Sequence, residues 1–304
     1  MRSAPYIQTS RAGLLALTAV VLLSACETTV EVDLPRHPPK IAVNSFFRPG
    51  YVWEVHLGEA RSVVDGQSAI QSIDNARVEI IEDGRVLTTL PHVGEGLYRA
   101  ASLRPETGKT YTLRASAPGY DRVDATDAVP GPISVTFTHE RESRSAGSGN
   151  LKVTIRIADP PDQPNYYRLD AYRRIQDPRT GEPNFSGVRF RTDDPAITAE
   201  NEDFFDINEE NRFGNVYFTD ALLTDGLHEI NLDIEESFLR DEGTLFVNLY
   251  GISKAYYDYA LSYELHQEAR DNPFAEPVQV FTNVKNGFGI FAGFSRYQLA
   301  LALN

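Results

Sequence analysis

The sequence predicts a mainly β protein that consists of two β-sandwich-like domains with one helix near the C-terminus. Apolar and polar residues alternate with a period of two in several short segments, as they do in strands that bury one face. Turn-forming pairs such as Asp83-Gly84 and Pro118-Gly119 separate these segments. The segment 253–270 has a different pattern, because it contains neither glycine nor proline and has apolar residues at helical spacing.

The first 25 residues have the composition of a secretion signal. Arg2 and Arg11 provide a basic start, and the apolar stretch 14–23 follows them. This stretch is shorter than the ~20 residues that a membrane-spanning helix needs. We therefore predict a lipoprotein signal peptide over 1–25 and no spanning helix there.

The tetrapeptide LSAC at 23–26 resembles the bacterial lipobox. This resemblance implies cleavage before Cys26, thioether lipidation of its sulfur, and acylation of the new amino terminus with fatty acids such as palmitate. Cys26 is the only cysteine of the chain, so no second thiol is present for a disulfide. Two or more acyl chains hold a protein firmly on a membrane. Cys26 is therefore the predicted lipid anchor, and an incidental cysteine near the cleavage site is the alternative.

The segment 26–40 is predicted to be an acidic, proline-rich tether between the membrane and the folded part. Pro35, Pro38 and Pro39 favour extended backbone and disfavour a helix. The whole chain is acidic, with a formal net charge of −14 at pH 7. A charge of this sign repels phosphates and argues against nucleic acid as a partner. The acid excess fits a salt-adapted host at least as well as a cation-binding protein.

The first sandwich domain is predicted over 41–128. In YVWEVHLG the apolar residues share one strand face, and Trp53 is among them, so a core position is favoured over an exposed sugar-binding platform. The stretch NARVEIIEDG…GLYRA…GKTYTLRASAPGY resembles the immunoglobulin-like and transthyretin-like modules of secreted bacterial proteins. The sequence VPGP at 129–132 marks the predicted domain boundary.

A larger β-rich domain is predicted over 133–304. ISVTFTH and LKVTIRIA are expected to form a hairpin whose long exposed tip covers 140–150. Further strands are expected in YYRLDAYR, GVRFRT, NVYFTD, LHEINLDI and TLFVNLYGI. The helix 253–270 is expected to be capped by Ser253. Its predicted stripe against the sheet consists of Tyr256, Ala260, Tyr263 and Gln267.

The sequence carries none of the spacing patterns that mark a catalytic or metal centre. The six histidines do not pair at metal-ligand spacing, and neither H-E-x-x-H nor G-x-S-x-G occurs. The run NGFGIFAG at 286–293 lacks the Lys-Ser/Thr of a phosphate loop, and it is predicted to be a tight turn with glycines packed against aromatic rings. We therefore expect no catalytic residue, no metal and no cofactor. The tyrosines at 166–167 and 256–259 are candidates for facing a partner or for packing on the sheet.

The acidic segment 193–211 is the best candidate for a cation site. Calcium prefers several oxygen ligands from a flexible loop, but the EF-hand glycine is missing here, so a solvated loop is favoured. The candidate ligands are Asp203, Asp206, Asn208 and Glu210. Carboxylates from this segment, or the pair Asp220 and Asp225, are also the candidates for glycoside hydrolysis, which requires a set separation in space.

Several stretches resemble one family of outer-membrane lipoproteins of the Bacteroidota that is defined by a domain of unknown function. They are KIAVNSFF, NARVEIIEDG, GKTYTLRASAPGYDRVDA, FTDALLTDG and SYELHQEARDNPFAEPVQVFTNVKNGFGIFAGFS. Members often accompany TonB-dependent receptors of the outer membrane. The resemblance therefore implies work at uptake rather than chemistry, and it supplies no site residue other than Cys26.

Three functions follow from the sequence as hypotheses. The first is a non-catalytic outer-membrane lipoprotein that is an accessory or ligand-capture partner of a TonB-dependent transporter. The second is a lipid-anchored glycan hydrolase that uses the carboxylates named above. The third is a structural or adhesive surface module. The ligand, the oligomeric state and the membrane face, periplasmic or cell-surface, stay open at this point.

Overall fold

The structure is a computed structural model. It describes residues 38–60, 71–144, 148–158, 163–177, 179–198, 212–222, 227–239, 242–271 and 275–303. Cys26, the signal peptide 1–25 and most of the tether 26–40 lie outside these residues. The segment Pro38–Asn304 belongs to one compact unit.

Strands dominate the described residues. In chain order they are β1 (Lys40–Phe47), β2 (Glu54–Ala60), β3 (Gln71–Ser72), β4 (Arg77–Glu82), β5 (Arg85–Leu90), β6 (His92–Gly94), β7 (Leu97–Arg99), β8 (Thr110–Ser116), β9 (Val123–Ala128), β10 (Ser134–Arg144), β11 (Ser148–Ala158), β12 (Tyr166–Gln176), β13 (Pro183–Gly187), β14 (Phe190–Arg191), β15 (Arg212–Phe213), β16 (Asn215–Thr219), β17 (His228–Glu235), β18 (Gly243–Ile252), β19 (Val284–Lys285) and β20 (Phe288–Leu303). The helices are α1 (Pro195–Thr198) and α2 (Lys254–Asp271), and 3₁₀ turns cover Asp220–Leu222 and Glu236–Leu239.

These strands form three sheets. The large sheet has the order β13-β12-β18-β20-β1-β2-β7-β6, with β16 paired to β12 and β3 paired to β2. The first small sheet has the order β19-β9-β8-β4-β5, and the second has the order β10-β11-β17-β14-β15. Within the described strands, β1 and β20 form the parallel pair, and the other pairs are antiparallel.

The first small sheet packs on the β1, β2 and β7 end of the large sheet and encloses one hydrophobic core. Trp53 is fully buried in this core, which confirms its predicted position. Its ring lies 4.8 Å from the ring of Tyr111 on β8 and 6.0 Å from that of Phe291 on β20. Trp53 therefore joins the two layers of the first sandwich.

The second small sheet packs on β12, β18 and β20 and encloses a second core. Leu169 and Val247 of the large sheet are fully buried there together with Ile155 and Leu232 of the second small sheet. The predicted mainly β, sandwich-like fold with a helix near the C-terminus is confirmed. The boundary between 41–128 and 133–304 stays a prediction, since β20 contributes to both cores.

The hairpin of β10 and β11 is longer than its sequence indicates. Its register is unbroken from Ser134 opposite Ala158 to Arg144 opposite Ser148. The prediction of a long loop over 140–150 is therefore wrong. Consecutive residues 139–142 of β10 are exposed, so both faces of the strand meet solvent there and the sequence shows no apolar alternation.

The glycines of NGFGIFAG lie against backbone rather than against aromatic rings, which corrects the predicted packing. Asn286 has a φ of 62°, as the predicted turn requires. A Cβ on Gly289 would lie 1.9 Å from the carbonyl oxygen of Val43, and one on Gly293 would lie 2.2 Å from that of Ala128. These glycines allow β20 to approach its neighbours closely.

Helix α2 begins where the sequence predicts. The Oγ of Ser253 accepts a hydrogen bond from the N–H of Tyr256 at 3.1 Å, which is the expected N-cap. Tyr256 and Ala260 are buried, but Tyr263 is 44 % exposed, so the predicted stripe is wrong beyond Ala260. The second half of the helix instead holds the segment before β19, because the Oγ of Ser262 accepts a hydrogen bond from the N–H of Phe281. In the described part of the chain, no helix is both long and apolar enough to cross a membrane.

Candidate functional site

The carboxylates that the sequence singles out are either structural or outside the described residues. Asp203, Asp206, Glu210 and Asp225, with the amide Asn208, lie outside the described residues. Asp220 accepts hydrogen bonds from the backbone N–H and the side-chain amide of Asn165, at 2.8 and 3.2 Å. Both contacts are made by Oδ2, and they join Asp220 to the residue that precedes β12.

Asp194, at the start of the acidic segment, is also held in place. Its Oδ1 accepts the N–H of Ala196 at the first turn of α1, and its Oδ2 is hydrogen-bonded to Nε2 of His228 at 2.7 Å. A cleft of about 600 Å³ opens beside it on the second small sheet, and Lys152 and Asp233 are among its lining residues. Among the described residues, no group of three or more His, Cys, Asp or Glu side chains is placed to hold a metal ion.

The richest arrangement of polar and aromatic side chains lies on the side of the large sheet that faces away from the second core. Residues 167, 169 and 171 of β12 point into the second core, so residues 168, 170, 172 and 174 point away from it. We call this surface of β12, β16, β18 and β20 the outer face. It consists of Arg168, Asp170, Tyr172, Arg174, Tyr217, Phe246, Asn248, Tyr250, Arg296 and Gln298.

A hydrogen-bonded polar network crosses the outer face from strand to strand. Asp170 accepts hydrogen bonds from Arg168 at 2.6 Å and from the side-chain amide of Asn248 at 2.7 Å. The Oδ1 of Asn248 in turn accepts the side-chain amide of Gln298 at 2.7 Å. Asp170 is 8 % exposed and Asn248 is fully buried, so these bonds replace hydration that the two groups have lost.

The same network fastens α2 to the sheet. Arg168 donates to the hydroxyl of Tyr256 on α2 at 2.9 Å and to the side-chain oxygen of Asn215 on β16 at 2.8 Å. The helix is therefore joined to the outer face through a charged hydrogen bond as well as through apolar contacts. Beside this contact, burial first, and the Asp170 carboxylate next, raise the pKa of Tyr250, so its hydroxyl stays protonated at neutral pH.

A row of aromatic rings continues the outer face towards its edge. The rings of Tyr172 and Phe246 are stacked with their centroids 5.0 Å apart. Phe185 on β13 meets Tyr172 edge-on at 5.9 Å and is 59 % exposed. The guanidinium of Arg174 lies 5.4 Å from the ring centroid of Phe246. Several neighbouring aromatic rings beside a fixed polar network are suited to recognising a ligand or a partner surface.

A second aromatic group lies where α2 crosses β1 and β20. The ring of Tyr256 is 4.8 Å from that of Phe46 and 5.9 Å from that of Phe294. Tyr166 packs on Tyr257 of the helix at 5.1 Å, so these tyrosines follow the packing interpretation of the sequence. Phe46 is 39 % exposed, so this group reaches the solvent at one end.

The members of the outer face were not identified from the sequence. Arg168, Asp170 and Asn248 come from strands that are far apart in the chain, and their contact depends on strand order and register. One signal was present: in YYRLDAYR, polar residues occupy alternate positions of a strand whose other face is apolar. A strand buried on both faces would be apolar throughout.

The solved structures that resemble this chain have low sequence identity to it and low TM-scores. They include trypsin-activated alpha-2-macroglobulin from Escherichia coli, at 16 % identity and a TM-score of 0.22, over 71 % of this chain and 14 % of that one. A β-glycosidase from Bacteroides vulgatus has 16 % identity and a TM-score of 0.20, over 71 % of this chain and 23 % of that one. The adhesin InvE from Yersinia pseudotuberculosis has 12 % identity and a TM-score of 0.19, over 71 % and 55 %. The chain thus spans less than a quarter of the first two, and no functional conclusion follows from these similarities.

Comparison at the level of sequence is more informative. No curated protein matches the chain. The sequence profile described as "Domain of unknown function (DUF4249)" matches residues 27–299, which is nearly all of the chain after Cys26. This extent includes the first core, the outer face and the second core except for Leu301 and Leu303. The chain therefore belongs to the DUF4249 family.

Proposed function

We propose that the chain is a non-catalytic, lipid-anchored lipoprotein of the outer membrane that captures a ligand for a TonB-dependent transporter or docks on it. The observation that carries the proposal is the outer face. There the stacked rings of Tyr172 and Phe246 stand beside the network of Asp170 on hydrogen-bonded strands. A prearranged surface of this kind suits recognition, since little conformational freedom is lost on binding.

The bonding of the network favours binding over catalysis. A general base must direct a lone pair towards a proton of the substrate. Asp170 instead directs one oxygen to Arg168 and the other to Asn248. The carboxylate is thus occupied in holding the surface together, which supports a recognition role for the rings and polar groups around it.

The sequence supports the membrane location. The segment LSAC at 23–26 resembles a lipobox, and lipidation of Cys26 would anchor the folded part through the tether 26–40. Such an anchor is compatible with the periplasmic face and with the cell surface, and protease treatment of intact cells distinguishes the two. A Cys26→Ser variant should be released from the membrane fraction, and retention of that variant would contradict the anchor.

Co-purification from solubilised outer membranes tests the partnership. An affinity-tagged chain should recover a TonB-dependent receptor in roughly equal amount. Phe185→Ser changes the most exposed ring of the aromatic row that continues the outer face, and it should reduce this recovery several-fold. Val86→Ser is the matched control, since Val86 is 50 % exposed on β5 of the first small sheet. Recovery of the tagged chain alone, without any receptor, would contradict the proposed partnership.

A further inference from the structure

Two arginines meet at the end of the outer face that is nearest to β1. Arg48 follows β1 directly, and its guanidinium carbon lies 3.6 Å from the ring centroid of Tyr51 and 5.6 Å from that of Phe294. Arg296 is two residues after Phe294 on β20, so both side chains leave the strand on the same face. Arg48 and Arg296 therefore lie on the same side of β20, next to Phe294.

Among the described residues, no acid forms an ion pair with either arginine of this pair. The nearest carboxylate of the network, Asp170, is bonded to Arg168. Burial first, and the charge of Arg296 next, lower the pKa of Arg48, so the two guanidinium groups repel each other. In a chain with a net charge of −14, two nearby arginines without such an ion pair are unexpected.

An oxyanion between the two arginines would remove this repulsion. Guanidinium groups bind carboxylates and phosphates through short, charge-assisted hydrogen bonds in a planar geometry. The rings of Tyr51 and Phe294 lie beside Arg48, and Tyr250 lies opposite Arg296 in the register of β18 and β20. Rings at this position suit an apolar group attached to the anion. Tyr51 is 54 % exposed, so the pair is open to solvent on that side.

We infer that Arg48 and Arg296 form a binding site for the oxyanion, a carboxylate or a phosphate, of a small ligand that also carries an apolar group. The inference rests on the proposed ligand capture, and it names the chemical class of the ligand. Carboxylate and phosphate present the same chemistry to paired guanidinium groups, so separate probes must distinguish them. The ring of Tyr51 and the ring of Phe294 then contact the apolar part.

Calorimetric titration of the full lipidated chain in a non-ionic detergent tests the inference. The probes are phenyl phosphate, benzoate and uncharged phenol at low salt. At least one of the two anions should bind, and phenol should bind more than about tenfold more weakly, because it lacks the charge. The stronger of the two anions identifies the oxyanion.

Variants identify the residues that bind the anion. Arg48→Gln and Arg296→Gln should each weaken binding of the anion by at least about tenfold, as expected for loss of a charge-assisted hydrogen bond. Arg85→Gln is the matched control, since Arg85 is an exposed arginine on β5 of the first small sheet and does not belong to the outer face. Its affinity should equal that of the wild type. If Arg48→Gln does not fold, Arg296→Gln alone decides, and melting curves establish which variants are folded.

Three results would overturn the inference. They are the absence of binding by both anions, unchanged affinity in the folded Arg48 and Arg296 variants, and an equal loss in Arg85→Gln, which would indicate general attraction of anions. These results are separate from the test of the proposed function. Receptor recovery with no anion binding would refute the anion site alone, and anion binding without receptor recovery would refute the transporter partnership alone.

Discussion

Replacement of Gly293 by alanine should destabilise the protein strongly, because β20 lies against residue 128 at this glycine. The new Cβ would be placed 2.2 Å from the carbonyl oxygen of Ala128. Carbon and carbonyl oxygen atoms approach to about 3.3 Å without repulsion, so the two segments must separate by about 1 Å. Overpacking of this kind costs about 1–3 kcal/mol.

The separation would also break hydrogen bonds at the same residue. The N–H of Gly293 donates to Oδ2 of Asp127 at 2.8 Å, and its carbonyl accepts the N–H of Ser253 at 3.1 Å. Loss of a hydrogen-bond donor to this half-buried carboxylate lowers the free energy of unfolding by a further 1–3 kcal/mol or so. The total loss is about 2–6 kcal/mol, whereas the free energy of unfolding of native proteins is roughly 5–15 kcal/mol.

Thermal unfolding followed by circular dichroism measures this effect. At about 2–4 °C per kcal/mol, Gly293→Ala should lower the Tm by roughly 5–20 °C. Gly251→Ala is the control, because Gly251 lies on neighbouring β18 with no atom within 4 Å of its ideal Cβ position. Its Tm should stay the same or rise slightly, since alanine restricts the unfolded chain. A Gly293→Ala protein within about 2 °C of the wild type, or an equal loss in Gly251→Ala, would refute the reasoning.

Three further predictions concern the polar groups that join the helix to the sheets. Burial raises the pKa of Asp127 above its ordinary 3.8. The folded protein therefore favours the protonated carboxyl, and the contribution of this group to stability is complete below pH 3.8 and is lost as the pH rises through the raised pKa. Asp127→Asn should therefore melt above the wild type at pH 7 and approach it near pH 4, and a pH-independent difference would contradict this. Ser253→Ala should cost about 1 kcal/mol in chemical denaturation through loss of the N-cap, and Ser253→Thr should restore most of it, whereas an unchanged midpoint in the alanine variant would exclude the cap as a source of stability. Asp170→Ala should cost roughly 3 kcal/mol in the same assay, because Arg168 then loses its carboxylate, and a loss below about 1 kcal/mol would indicate that water replaces it.

The sandwich fold could be predicted because its signal is local. Alternation with a period of two marks a strand that buries one face, and the Asp83-Gly84 pair marks a turn, without knowledge of the rest of the chain. The same rule missed the ends of β10 and β11, because a strand that extends past the core has no apolar face. It also did not predict that Gly293 lies in a strand, because a glycine is required there by the close approach of residue 128, which no local pattern shows.

The outer face required information that no single segment contains. Asp170 meets Asn248 only because β12 and β18 pair in one register, and a shift by one residue would turn one of them into the core. The meeting of Arg48 and Arg296 depends on the parallel pairing of β1 with β20, which the sequence does not indicate. Spacing rules can predict metal or phosphate motifs within a segment, but they do not detect a site that is assembled across sheet neighbours.

The position of β20 connects the fold to the proposed recognition. Phe291 of this strand is buried in the first core and Leu303 in the second, so the strand is fixed at both ends by apolar packing. Arg296 lies between these two residues, on the face that points away from the second core. The guanidinium is therefore presented by a segment that has little freedom to relax away from Arg48, and the repulsion between them persists in the unliganded protein. An anion that binds between the two arginines gains from relief of this repulsion without a cost of ordering the backbone, which is the energetic advantage of a prearranged site.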